Sequence, residues 1–147
     1  MAYASNADVE ERLGTSVCVQ LTDDAGTGLV DGDKVTEARI GSEGEVDSYL
    51  GRRCAVPVDL EAHPELAAVL KSVTLDLVEY RLHARRQPVP QDVRLKRDAA
   101  LQWLQRVASG QAVLPAATEP KGNPATGIAG TVIGARRVLT RDQMENL

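Results

Sequence analysis

At 147 residues, with 43% hydrophobic side chains, 3% aromatic and no phenylalanine, the chain has room for one domain with a thin aliphatic core, which argues against an aromatic-walled cofactor pocket. The longest apolar runs fall far short of the roughly 20 residues that cross a bilayer, and no basic start leads into an apolar stretch, so neither membrane insertion nor secretion is expected. The net charge of −4 hides an imbalance: residues 1–50 carry eleven acids and three bases, residues 51–147 ten acids and fourteen bases. Either helix surfaces simply need charge, or the subunit is dipolar, with an acidic face that meets a neighbour's basic face as head-to-tail rings require.

The first element is a short helix over Asn6–Leu13, with Ser5 and Asp8 in capping-box register and Gly14 suited to the position past its end. Thr15–Thr22 reads two ways: Val17, Val19 and Leu21 alternate like a strand, while Val17 and Leu21 also stand one helical turn apart. The acidic, glycine-rich stretch from Thr22 to Asp33 resembles a calcium loop only superficially. An EF-hand opened at Asp23 needs an oxygen at Ala25 and a bidentate carboxylate at Lys34, and one opened at Asp24 puts Gly26 and Gly28 where ligands belong. A turn that caps the next helix is the better account.

Val35, Ala38, Val46, Tyr49 and Leu50 keep helical spacing from about Lys34 to Leu50, with Gly41 and Gly44 either admitting another helix closely or marking a kink. After a break at 51–58, Pro64 and Glu65 open the best-specified helix, 64–86. Leu66, Val69, Leu70, Val73, Leu77, Tyr80 and Ala84 form one stripe, and Leu75, Val78 and Leu82 a second on nearly the opposite side. A helix apolar on two sides must be covered twice, so it is central. The second stripe is expected to serve as a subunit interface. Pro88 and Pro90 stiffen the link to a helix over 92–109 that Gly110 stops, giving an antiparallel hairpin.

Residues 111–147 differ in kind. Pro115, Pro120 and Pro124, with Gly122, Gly127, Gly130 and Gly134, rule out a helix through the middle. Thr131-Val132-Ile133 and Arg137-Val138-Leu139-Thr140 are strand-like, and Thr140 and Gln143 stand in capping-box register for a last turn through Met144. The expected arrangement is an all-α domain over 1–110 and, over 111–147, an extended arm that orders on a partner. Its partner-binding residues are expected to be Val132, Ile133, Arg136, Arg137, Val138, Leu139, Thr140, Arg141 and Asp142.

No nucleophile elbow or phosphate loop occurs, and His63 and His83 lack ligand spacing, so no catalytic, cofactor or metal residues are assigned and no enzyme is expected. Cys18 and Cys54 have no CxxC partner and read as buried small residues of a chain made in a reducing cytoplasm. The alternative of a helical DNA-binding packaging or regulatory protein rests on Arg81, Arg85, Arg86, Arg94, Lys96, Arg97 and Arg106. Overall acidity and the missing recognition-helix pattern weigh against it.

Four segments resemble the head–tail connector family of Mu-like phages and prophages. They are Met1-Ala2-Tyr3-Ala4; Gln20-Leu21-Thr22-Asp23 before the acidic loop; Asp47-Ser48-Tyr49-Leu50-Gly51-Arg52-Arg53 before Val56-Pro57; and Arg136-Arg137-Val138-Leu139-Thr140-Arg141-Asp142. Relative to that family the loop is less Asp-dense, and Cys54 stands where an aromatic is usual. The resemblance implies a structural protein of the virion neck, assembled in the host cytoplasm. Its implied partners are further copies in a ring (a dodecamer by resemblance), the portal protein, a tail-completion or tail-terminator protein, and DNA passing non-specifically through the channel.

Overall fold

The structure is a computed structural model that describes residues 2–114. Among those residues the chain forms five helices and no strand: α1 spans Asn6–Leu13, α2 Thr15–Thr22, α3 Gly32–Leu50, α4 Pro64–Ala84 and α5 Gln91–Ser109. Of the expected arm over 111–147 only residues 111–114 are described; all nine of its partner-binding residues lie outside the described residues.

The helix ends follow local chemistry. The Ser5 hydroxyl accepts from the Asp8 N–H at 3.2 Å while the Asp8 carboxylate accepts from the Ser5 N–H at 2.8 Å, closing the capping box. Gly14, at φ +84°, ends α1 and leads directly into α2. The ambiguous stretch is therefore helical, and burial decides it. Cys18, Leu21 and Thr22 turn inward together at helical spacing. The Thr22 hydroxyl donates to the Cys18 carbonyl at 2.7 Å and accepts from the Asp31 N–H at 3.1 Å, tying α2 to the start of α3. There the Asp31 side chain caps α3 by accepting from the Asp33 and Lys34 N–H groups. Gly110, in the left-handed conformation, stops α5.

Packing is organised by α4, which contacts α1, α2, α3 and α5. Its first stripe (Leu66, Leu70, Val73 and Leu77) enters a cluster with Tyr3, Val46, Leu50, Val58, Leu104 and Val107. Its second stripe enters a separate cluster with Ala4, Val9, Leu21 and Val35. This corrects the expected subunit interface. Leu75, Val78 and Leu82 are at most 6% exposed, covered by the chain's own first three helices, and as placed they offer a neighbour no surface. Both coverings come from within one subunit. Leu114 also seats in the first cluster, so the packed body runs past the boundary expected at residue 110.

The two glycines of α3 have different surroundings. At Gly41 an added Cβ would stand 3.1 Å from the Arg81 guanidinium, whereas at Gly44 it would meet nothing within 4 Å. The close approach to α4 is thus made at Gly41, in a helix uninterrupted from residue 32 to 50.

Two stability predictions follow from α4. Leu70 is fully buried, and Leu70→Ala is expected to cost about 2–5 kcal/mol in urea unfolding; a midpoint equal to wild type would reject its core placement. Thr74 is also fully buried, and its hydroxyl has no hydrogen-bond partner. Thr74→Val removes that desolvated oxygen at nearly constant shape and is expected to stabilise by about 1 kcal/mol, read as a rise of several degrees in Tm.

Candidate functional site

The N-terminal residues are fastened by a polar joint that sequence reading did not single out. The Tyr3 hydroxyl donates to the Asp47 carboxylate and accepts from the Val58 N–H at 2.9 Å. Burial, then the Asp47 hydrogen bond, pushes the phenol well above its ordinary pKa and keeps it a neutral donor. The Tyr3 N–H donates to Glu43 at 3.0 Å, and Arg39 holds that carboxylate at 3.0 Å while also reaching Asn6. Residue 3, the helix end at 47–50 and the crossing at 54–58 thus meet in one place. Two of the four family-resembling segments are in contact there, and their order along the chain was the available signal.

A second joint gathers Lys34 with Arg85 and Arg86, two of the cations on which the DNA-binding alternative rests. Lys34, Arg85 and Arg86 converge on Asp24, with Arg85 at 2.6 Å and Arg86 at 2.9 Å. Each also donates to a carbonyl at the C-terminal end of α2: Arg85 to Leu21 at 2.6 Å, Lys34 to Thr22 at 3.4 Å, and Arg86 to Asp23 at 3.0 Å. The unsatisfied carbonyls and negative dipole end of α2 explain the attraction. Hydrogen bonding from Lys34, then Arg85, lowers the Asp24 pKa, and the same contact raises that of Lys34. Asp23 is turned toward its own loop, accepting from the Thr27 N–H at 3.0 Å and the Gly28 N–H at 2.6 Å, which lowers its pKa. Loop carboxylates that a cation-binding reading requires are thus engaged by protein donors. Among the described residues no group of His, Cys, Asp or Glu is arranged to hold a metal ion.

The remaining basic residues are mostly tied between helices. Arg81 pairs with Glu45 at 2.8 Å, Lys96 with Glu79 at 3.2 Å, and Arg97 with Asp98 at 3.1 Å while lying 4.7 Å from the Tyr80 ring centre. Arg94 and Arg106 are exposed on α5. Cys18 and Cys54 are buried free thiols whose pKa values burial raises, which is the expected inert state.

A groove of about 570 Å³ opens where α3, α4 and α5 meet. Ala38, Leu77, Tyr80 and Ala84 supply its apolar lining; Lys34, Arg81, Arg85 and Arg97 its cations; Glu37 and Glu45 its acids. Tyr80 and Ala84, expected on the first stripe, are only partly buried and face this groove. Its mixed apolar and charged lining suits an amphipathic segment better than a small polar substrate.

The α1–α4 ion pairs make stability depend on pH. Lys71 at 2.6 Å and the Ser5 N–H lower the Asp8 pKa from 3.8 to about 2. A depressed folded pKa gives stability present above the unfolded value and lost as pH falls through the folded one. Asp8→Asn is therefore expected to cost on the order of 1 kcal/mol at pH 7, allowing for solvent screening of the partly exposed pair. The gap to wild type in urea midpoint should close between pH 4 and 2; a gap constant across that range would contradict the pairing.

The family model described as "Bacteriophage Mu, Gp36" aligns with residues 3–132 of the chain. The match runs from Tyr3 through all five helices and into the segment beyond Leu114. No curated protein matches the chain.

Proposed function

The chain belongs to the bacteriophage Mu Gp36 family, and from that premise we propose that it is a structural component of a tailed-phage neck, forming a ring beneath the portal that joins head to tail and continues the DNA channel. In this reading it is no enzyme. Its partners are further copies of itself in a homo-oligomeric ring (twelve by resemblance), the portal protein, a tail-completion or tail-terminator protein, and DNA that passes without sequence recognition. Its location is the virion neck. Among the described residues no helix is long and apolar enough to cross a membrane.

The observation that carries the reading is the family match together with the use made of the charged side chains. Ion pairs and hydrogen bonds fasten α1 to α4, α2 to α3 and α4, and α4 to α5. They brace a helical body, built on α4 and α5 as its hairpin, that holds its shape while chains on either side pull on it. The DNA-binding alternative loses Arg85 and Arg86 to the end of α2, and Arg81 and Lys96 to carboxylates. A phosphate-binding surface needs such cations available.

Residues 111–147 supply the partner-binding arm of this proposal. Val132, Ile133, Val138 and Leu139 would add a strand to an exposed edge, and Arg136, Arg137 and Arg141 would meet acidic surfaces. Fully extended, the 33 residues after Leu114 reach at most roughly 110–120 Å, enough for an adjacent subunit or an adjacent ring. Deleting residues 131–147 is expected to leave the circular-dichroism helix signal of the body intact and to yield heads that do not join tails. Fully infectious particles assembled from the truncated chain would overturn the arm's role.

A further inference from the structure

We propose that the two ends of the helical body are complementary docking surfaces for copies of this chain. The basic end of one copy, at Arg52, Arg53 and Arg106, seats on the acidic end of the next, at Asp33 and Glu37. Among the described residues, four cations enter neither an ion pair nor a side-chain hydrogen bond: Arg52, Arg53, Arg94 and Arg106. Six carboxylates are likewise left over: Glu10, Glu11, Asp33, Glu37, Glu61 and Asp92. Apart from the two on α1, they sort by end. Leu50 at the finish of α3 clusters with Leu66 at the start of α4 and with Leu104 and Val107 late in α5. Lys34 and Arg85 meet at Asp24 at the opposite end. The end holding the start of α3 therefore keeps Asp33, Glu37 and Asp92 against Arg94. The end holding its finish keeps Arg52, Arg53 and Arg106 against Glu61.

The basic end is built to receive acids. The Arg53 guanidinium lies against Gly110, which brings it to the last turn of α5. There Arg106 borders a recess of about 360 Å³ with Gln102, Gln105, Ser109 and Gln111, and no carboxylate lines it. Each end also leaves an apolar side chain in water: Leu29 is 71% exposed in the loop before Asp33, and Val113 is 88% exposed just past Gly110. From Asp33 to Arg52 the axis of α3 runs roughly 28 Å, about three Debye lengths at 0.1 M salt, so one copy cannot satisfy its own ends. A head-to-tail contact pairs them between copies, and every copy carries one surface of each kind. A polyanion would use the basic end alone. The inference rests on the ring assembly proposed above and assigns its contact.

Charge reversal in the full chain tests it, read by sedimentation velocity of concentrated protein at low salt. One variant reverses the basic end (Arg52→Glu with Arg106→Glu), and the other reverses the acidic end (Asp33→Lys with Glu37→Lys). All four side chains are exposed, and Arg53, which clasps Gly110, is left in place. Circular dichroism checks each fold, and Asp33→Lys alone is the milder acid-end variant should the pair disturb α3. The wild type is expected to form species larger than a dimer that weaken as salt rises from 0.1 to 1 M. Each variant alone should associate at least about tenfold more weakly, because like charges then face each other. An equimolar mixture should recover association, since every reversed end then finds an opposite one. The C-terminal arm is intact in all of these chains, so it cannot produce the difference. A wild type that stays monomeric or stops at a dimer would overturn the proposal, as would variants that associate like wild type or a mixture no stronger than its parts. Duplex DNA binding lost in the basic-end variant, with self-association unchanged, would assign that end to nucleic acid instead. The neck reading fails on a different measurement, head–tail joining by particles, so the two outcomes are separable.

Discussion

The architecture depends on one constraint: α4 is apolar on two nearly opposite sides, and both must be removed from water. Each fully buried aliphatic side chain is worth about 1.5–3 kcal/mol relative to exposure, so neither stripe can be left uncovered in a chain with so few aromatics. The chain covers one side with α3, α5 and the 54–58 crossing, and the other with α1, α2 and the start of α3. Two separate clusters result, with α4 as the wall between them. The short N-terminal helices, which on their own hold too few residues to be stable in water, are kept in place by the second cluster and by the Asp8–Lys71 and Arg12–Asp76 pairs.

Electrostatics refine this plan and supply little of the drive. Most of the ion pairs are partly exposed, where each contributes at most about 1 kcal/mol. Their value lies in placement. Asp76 shows the cost of the arrangement: burial raises its pKa, and Arg12 only partly offsets that. The Lys34, Arg85 and Arg86 convergence works otherwise, since its cations also satisfy carbonyls that the end of α2 leaves without intrahelical partners. A cluster that looks like a nucleic-acid patch in sequence becomes the fastening of one helix to two others.

Features written in neighbouring residues were legible in advance: the Ser5–Asp8 box, the glycine stops at residues 14 and 110, and the two stripes of α4. What failed to read was whatever depends on distant partners. Thr15–Thr22 carries both periodicities, and only burial of Cys18, Leu21 and Thr22 against the rest of the body makes it helical. Leu75, Val78 and Leu82 announced that a side must be covered, but a stripe says nothing about whether its cover comes from the same subunit. The Tyr3–Asp47–Val58 joint links residues up to 55 apart, beyond the reach of any local pattern. The groove was missed for the same reason, since its lining is collected from three helices.

The seating of Leu114 has a mechanical meaning. Tyr3 and Leu114, close to the two ends of the described body, belong to the same cluster. Tension entering the chain at residue 115 is therefore received by packed side chains that also anchor the opposite end. Arg53 adds a latch: its guanidinium occupies the space a Cβ at Gly110 would need, 1.6 Å from that position, so the last turn of α5 and the 51–58 crossing are clasped together just before the chain leaves. A pull on the outgoing chain loads the whole body at once instead of peeling it from one end.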